Sequence, residues 1–263
     1  MAVGIVVAAG KGARMGTLAN QQPKCMLPIK GRPLLHHTID RLRAIGCDKI
    51  VVVVGHKSEY VHAPNCTFIK NPGYLSNNIL HSLMYARNQL AGEVVCTYSD
   101  IWLEPEILSV LSNTKGNIVA AVDEDWKPYY VGRTEHPISE AENVFYDSAK
   151  SIHRIGKQLQ PDKAGSYKCG EFLGLWKMSS AGTAYFVKLF EALNNELSPT
   201  SPFQNAKQWQ ASYITDLFQE IIDRDVPIRV SLTRRQWAEL DTRQDYDRLG
   251  TIADRQQLRT LLN

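Results

Sequence analysis

One stretch near the N-terminus has the residue types and spacing that chemistry needs: Ala8-Ala9-Gly10-Lys11-Gly12-Ala13-Arg14-Met15-Gly16. Glycine permits positive φ and leaves backbone amides uncovered. Successive uncovered amides form a nest that takes an anion. Lys11 and Arg14 add positive charge, and a guanidinium fork matches phosphate oxygens. The stretch therefore reads as a phosphate-binding loop. It is not the dinucleotide fingerprint G-x-G-x-x-G, whose third glycine is replaced by Met15, and it lacks the G-K-[ST] ending of the Walker pattern.

The elements that must position this loop follow from hydrophobic spacing. Val3 to Ala8 is short, apolar and β-branched, as a fully buried strand is. Pro33 to Ile45 carries Leu35, Ile39, Leu42 and Ile45 at helical spacing, and Gly46 stops it. Lys49 to Val54, Cys66 to Ile69, Glu93 to Tyr98 and Asn117 to Val122 read as further strands. Asn77 to Leu90 reads as a helix, and Pro105 opens another at its favoured first position. Apolar strands alternating with helices predict an α/β fold, a Rossmann-like doubly wound and mostly parallel sheet covered on both faces. Such sheets bind ligands at the carboxyl ends of their strands. The loops after Ala8, Val54, Tyr98 and Val122 should therefore meet around one crevice. Between about 124 and 178, short strands at Asn143 to Tyr146, Ser151 to Ile155 and Glu171 to Lys177 predict a small mixed α/β insert over that crevice. Helices return at Ala181 to Leu197 and Gln208 to Arg224, a late strand at Ile228 to Leu232, and a closing helix at Arg243 to Leu262. No repeat or linker divides the chain, so one domain over residues 1–263 is expected.

Composition narrows the class. With 44% hydrophobic and 22% charged residues, the chain is globular rather than disordered. A net charge of +3 without a basic cluster argues against a nucleic-acid partner. The five cysteines include no C-x-x-C pair, so neither a disulfide framework nor a zinc site is indicated. Free thiols in a reducing compartment fit better. Ala2 to Ala9 lacks a basic start and reads as a core strand rather than a signal peptide. No run approaches the roughly 18 apolar residues of a membrane helix. A cytoplasmic protein with no membrane partner is expected, and a homodimer is left open.

The loop and its surroundings resemble the opening of the nucleotidyltransferase family that includes sugar-1-phosphate nucleotidyltransferases and phosphocholine cytidylyltransferases. That opening is A-A-G-x-G-x-R-[ML], then P-K, then an apolar segment ending in G-x-P-[LM]. Here it stands as Ala8 to Met15, Pro23-Lys24, Leu27 and Gly31-Arg32-Pro33-Leu34. Two later segments match as well: Tyr98-Ser99-Asp100, and Glu239-Leu240-Asp241-Thr242 with Asp245-Tyr246. The resemblance implies a nucleotide-diphospho-sugar transferase fold. It implies that Ala8, Ala9, Gly10, Lys11, Gly12 and Ser99 hold a nucleoside triphosphate. It implies that Lys24, assisted by Arg14, reaches the α-phosphate, and that Asp100 and Asp241 hold Mg²⁺. Taken singly, Lys24 has the alternative reading of a solvated loop lysine and Asp241 that of a helix cap.

The region from Asn71 to Leu83 lacks the Q-P-x-G-[LI]-A segment of sugar nucleotidyltransferases. It looks more like the N-N-x-x-S-L stretch of phosphocholine-type cytidylyltransferases. Asn77, Asn78 and Ser82 become candidate base or sugar contacts, since an amide pairs with both edges of cytosine; Asn77 also reads as a helix cap. The insert resembles cytidylyltransferases of phosphonate and phosphoglutamine pathways. Its candidate acceptor residues are Asp123, Trp126, Tyr130, Arg133, Lys157 and Glu171. Aromatic rings beside carboxylates suit a cationic amine, while Arg133 and Lys157 suit a phosphate or phosphonate. Trp126 and Arg133 read equally as core and surface pair. The expectation is a Mg²⁺-dependent cytidylyltransferase. It would move CMP from CTP to a small phosphorylated or phosphonate acceptor such as phosphocholine or 2-aminoethylphosphonate. The rivals are a sugar-1-phosphate nucleotidyltransferase using UTP, dTTP or GTP, and a non-catalytic nucleotide-sensing module.

Overall fold

The predicted first strand stands in the middle of the sheet. In the computed structural model, which describes residues 2–20 and 22–250, nine strands form that sheet. They are β1 (Ala2–Ala8), β2 (Cys47–Val54), β3 (Thr67–Lys70), β4 (Val94–Tyr98), β5 (Ile118–Asp123), β6 (Glu142–Tyr146), β7 (Ile152–Lys157), β8 (Lys168–Met178) and β9 (Arg229–Thr233). β1 is flanked by β2 and β4, both parallel to it, and β3 extends the parallel row beyond β2. β8 stands on the far side of β4 and runs antiparallel to β4, β5 and β6. β9 pairs in parallel with β5, and β7 closes the edge antiparallel to β6. The doubly wound fold is there, and its sheet is mixed. Helical crossovers keep the first strands parallel, whereas the chain returns through the insert by hairpin-like reversals that make its strands antiparallel.

β8 changes partners along its length. Its first residues pair with β6 and its last with β4. Between Phe172 and Trp176 its register against β5 shifts, and Gly174 there has φ +61°. A Cβ at Gly174 would run into the Tyr98 ring, so glycine is required by both backbone and space.

Among the described residues six α-helices cover the faces: α1 (Leu34–Ala44), α2 (Ile79–Met84), α3 (Pro105–Asn113), α4 (Ser180–Glu196), α5 (Ile214–Asp223) and α6 (Arg243–Gly250). Strand alternation divides β1 cleanly. Val6 and Ala8 pack with Leu35 and Ile39 of α1 and Leu108 of α3. Ile5 and Val7 pack with Leu80 of α2, Phe186 of α4 and Phe218 of α5. Each such side chain, fully buried, contributes on the order of 2 kcal/mol.

Two helices are shorter than their patterns predict. The segment Asn77 to Leu90 is α-helical only over Ile79–Met84, and its cap is Asn78, whose side chain accepts from the Ile79 amide. Gln208 to Arg224 contains a single tight turn, Trp209–Ala211, before α5 begins at Ile214. The closing helix runs over Arg243–Gly250, and the rest of its predicted length lies outside the described residues. No helix among the described residues is long and apolar enough to cross a membrane.

A short antiparallel ladder, Ile101–Leu103 with Trp237–Glu239, sits beside the carboxyl end of β4. It continues into a bond from the Leu240 amide to the Asp100 carbonyl at 2.7 Å. That ladder carries Asp241 to Asp100 from a distant part of the sequence.

Candidate active site

The glycine-rich loop leaves β1 and folds on itself, with the Met15 amide donating to the Gly12 carbonyl at 2.9 Å and Gly12 at φ +61°. Met15 is buried beneath it and anchors it. Lys24 follows in a single turn opened by Pro23. Its ammonium lies 2.5 Å from Asp100 Oδ2 and 2.8 Å from Asp241 Oδ1. Burial acts to lower the lysine's pKa, but Asp100 and Asp241 outweigh it and raise the group above its ordinary value. Burial likewise acts to raise Asp241, but Lys24, His136 and Arg14 hold its carboxyl well below the usual carboxylate range. Arg14 reaches Asp241 from the loop. His136, only 4% exposed, approaches Asp241 with Nδ1 at 2.7 Å and Glu239 with Nε2 at 3.6 Å. His136, Glu239 and Asp241 together offer three metal-ligand atoms within 4.8 Å of one another, a second donor set beside the Asp100 and Asp241 pair.

The crevice has two lobes that meet at Lys24 and Asp100. The smaller, about 140 Å³, is lined by Ala8, Ala9, Gly10, Gly12, Asn77, Asn78, Ser82 and Ser99 among others. Lys11 is exposed on the loop and lines neither lobe. Asn78 reaches the lobe, but its amide is committed to framework bonds. Oδ1 caps α2, and Nδ2 donates to the Ala211 carbonyl at 3.0 Å.

The larger lobe, about 320 Å³, is walled by aromatic rings and carboxyls. Tyr98, Tyr130, Phe172 and Tyr213 stand among Glu140, Glu142, Glu171 and Glu239, with Lys157 as a cation on the wall. The Tyr130 hydroxyl donates to Glu171 Oε1. Glu171 Oε2 is buried without a hydrogen-bond partner among the described residues, and burial pushes this carboxyl well above its ordinary value. Glu142 accepts from the Tyr98 hydroxyl at 3.3 Å and the Thr215 hydroxyl at 3.4 Å. Burial pushes its pKa up to about 7. Lys157 lies 3.3 Å from Glu140 and 4.7 Å over the Tyr213 ring.

Three residues read from sequence as acceptor contacts do not face this lobe. Asp123 is 0% exposed and accepts from Trp237 Nε1 at 2.7 Å and from the amides of Asp125 and Arg235. Trp126 is buried edge-on against Tyr130. The Arg133 side chain is wholly enclosed. Its Nε and Nη2 hold Asp245 at 2.8 and 3.0 Å, Nη2 reaches Glu239 at 3.2 Å, and the guanidinium lies over the rings of Tyr129 and Tyr130. A cation buried against its own carboxylates is not open to a ligand's phosphate. Asp123 and Arg133 instead hold the Trp237 to Asp245 segment in place, and Trp126 packs in the core against Tyr130. Tyr130, Lys157 and Glu171 do line the lobe. Glu140 and Glu142 lie in the insert read from sequence as covering the crevice, and Tyr98 lies in the Tyr98-Ser99-Asp100 string, whereas no local motif marks His136 or Tyr213.

Comparison with known proteins is consistent across three kinds of match. Residues 4–162 match the model of the MobA-like NTP transferase domain. CTP:phosphoglutamine cytidylyltransferase of Campylobacter jejuni is 24% identical over 256 residues, covering 92% of this chain and 97% of that protein. CMP-5'-(3-aminopropyl)phosphonate synthase of Streptomyces rubellomurinus is 34% identical over 116 residues, which are 41% of this chain and only 18% of that longer protein. Among solved structures, the inositol-1-phosphate CTP transferase from T. maritima superposes with a TM-score of 0.71 at 16% identity, covering 99% of this chain and 95% of that one. The CTP:phosphocholine cytidylyltransferase from Streptococcus pneumoniae gives 0.67 at 17% identity, covering 96% and 99%. At those identities the structures speak for the fold.

Proposed function

This chain belongs to the family of MobA-like NTP transferase domains and is a nucleotidyltransferase; we propose that it is a Mg²⁺-dependent cytidylyltransferase that moves CMP from CTP to the phosphate or phosphonate of a small acceptor bearing a primary amine. One observation carries the reading. The Lys24 ammonium sits between Asp100 and Asp241 at the point where a glycine-lined lobe opens onto an acidic, aromatic one. The cytidylyltransferases among the relatives support the choice of CTP.

In the reaction an acceptor oxygen attacks the α-phosphorus, a new P–O–P bond forms, the bond to the β-phosphate breaks, and pyrophosphate leaves. The loop amides at Gly10 and Gly12 hold the phosphates of the nucleotide. Lys24 and Arg14 offset charge as it grows on the α-phosphate oxygens. Glu142, Glu171 and the rings around them hold the acceptor's far end, so that two polyanions are kept in line. Asp100 and Asp241 fit the metal: they are hard oxygen donors, Asp241 is held ionised, and Asp100 lines both lobes while Asp241 lines the larger. When bound by Asp100 and Asp241, Mg²⁺ would supply Lewis-acid stabilisation of negative charge on the phosphates.

The amine follows from Glu171. A buried carboxylate oxygen without a donor is costly, and an ammonium N–H supplies one. A quaternary ammonium satisfies the rings but brings no N–H. The test is pyrophosphate release with CTP, UTP, dTTP and GTP, each offered 2-aminoethylphosphonate, phosphocholine or glucose-1-phosphate. The expected result is turnover with CTP, fastest with 2-aminoethylphosphonate. Turnover confined to sugar phosphates overturns the reading, and pyrophosphate release with none of them leaves the nucleotide-sensing alternative standing in its place.

A further inference from the structure

A buried amide just outside the nucleotide lobe has a role that neither the motifs nor the reaction assigns. Asn71 follows β3, where its backbone amide donates to the Val54 carbonyl at 2.7 Å. It is 0% exposed and lines neither lobe. Its Nδ2 donates to Asn77 Oδ1 and to Ser82 Oγ, each at 2.9 Å. Asn77 Nδ2 donates back to Asn71 Oδ1 at 3.2 Å, and the Ser82 hydroxyl donates to Asn77 Oδ1 at 3.3 Å. Both Asn77 and Ser82 line the nucleotide lobe beside Ala8 and Ala9. The close approach depends on Gly73, where a Cβ would stand 3.0 Å from Asn77 Nδ2.

A hydrogen-bond count shows what this ring leaves over. Both N–H groups of Asn71 are engaged. Both lone pairs of Asn77 Oδ1 are filled, by Asn71 and Ser82. Asn77 Nδ2 keeps one N–H, and Ser82 Oγ keeps one lone pair. The lobe wall therefore presents one donor and one acceptor side by side. Asn77 cannot reverse this order alone. Turned by itself, its oxygen would face the oxygen of Asn71 and its nitrogen the nitrogen, and a buried ring of this kind tolerates no such mismatch. The sense of the exposed pair is therefore tied to that of Asn71 behind it.

Resting on the cytidylyltransferase reading above, we propose that Asn71 is a positioning residue for nucleobase choice, fixing the donor and acceptor order that Asn77 and Ser82 show to the base. Cytosine and uracil differ in that order: cytosine has an acceptor at its ring N3 and a donor at its exocyclic amine, and uracil has the reverse. A pyrimidine with the wrong order leaves a buried donor facing a donor, which is how a polar site rejects a close analogue.

The test is Asn71→Asp, which keeps size and removes both donors, assayed for kcat and KM with CTP and with UTP. The ratio of the two kcat/KM values is expected to move toward UTP by about tenfold or more. The change lies in the nucleotide KM, while the acceptor KM stays unchanged. In an Asn77→Ala background the same substitution is expected to leave the ratio where it is, an outcome that a purely structural role for Asn71 does not produce. Equal losses with both nucleotides, or a ratio shift that persists without Asn77, overturns the proposal. If Asn71→Asp fails to fold by circular dichroism, Asn71→Ser gives the same readout. A wild type that prefers a nucleotide other than CTP would defeat the parent reading, yet the Asn71 role would still be decided by whether that preference shifts.

Discussion

The two lobes of the crevice handle charge by opposite means. On the parallel side, β1 and its loop present backbone amides, with Lys24 and Arg14 beside them, all suited to a polyanion. On the antiparallel side, β6 and β8 present carboxyls among aromatic rings, suited to a cation. The first grip depends on glycines and on chain direction, so it tolerates little variation. The second depends on side chains projecting from strands, where one substitution alters the ligand without altering the sheet. A fold divided in this way can keep one substrate and change the other.

Substitutions can break or sharpen that division. The largest effect is expected where the halves are joined. Arg133→Ala leaves Asp245 buried without its cation, and a loss of about 3–5 kcal/mol of stability is expected, read as a lower urea midpoint. A midpoint close to wild type would mean that the insert does not brace the Asp241 segment. Next, Lys24→Ala and Asp100→Ala should each lower turnover at least about a hundredfold, the scale of losing one electrostatic stabiliser. Near-normal turnover in either would remove the parallel side from the chemistry. Glu171→Gln should then raise the acceptor KM about tenfold and leave the KM for CTP in place; movement of both together would show that the lobes are not separable.

The smallest effect is a pH dependence. Burial raises Glu142 from 4.5 to about 7, with Lys157 opposing and Asp216 and Glu239 reinforcing the shift. Its folded pKa lies above its unfolded one, so the folded state holds the proton more tightly. Stability from this group is greatest below 4.5 and is lost as pH rises from 4.5 to about 7. Over the upper part of that range Glu142 gains charge, so the KM for an amine-bearing acceptor should fall a few-fold through about pH 7. Glu142→Gln should flatten both trends, and a KM profile unchanged by that substitution would place the acceptor's amine elsewhere in the lobe.

Legibility in the sequence divides along the same line. β1, β4, β5 and the Ile50 to Val54 part of β2 are largely apolar runs buried on both faces, and such runs declare themselves without knowledge of their neighbours. The loop, Lys24, Asp100 and Asp241 stand in short recognisable strings, although nothing in their spacing says that Lys24 joins Asp241 across 217 positions. β8 is harder. Its seven predicted residues grow to 11, and its role as seam between parallel and antiparallel strands depends on a register shift at Gly174 that no periodicity reveals. The larger lobe is least legible. Arg133, Asp123 and Trp126 have the residue types of a binding site, and only burial distinguishes a ligand contact from a brace. His136 has no string to mark it and acquires Asp241 and Glu239 as partners only when the insert folds back.

Asp241 is held at once by Arg14 from the loop, by Lys24, and by His136 from the insert. Three segments thus share one carboxylate, and a change in its partners is felt on both sides of the crevice. Thermodynamic reciprocity then applies. By whatever factor a bound nucleotide alters the enzyme's affinity for its acceptor, the acceptor must alter affinity for the nucleotide by the same factor. The order in which the two substrates arrive is a matter of rates; the help or hindrance each gives the other is a single quantity.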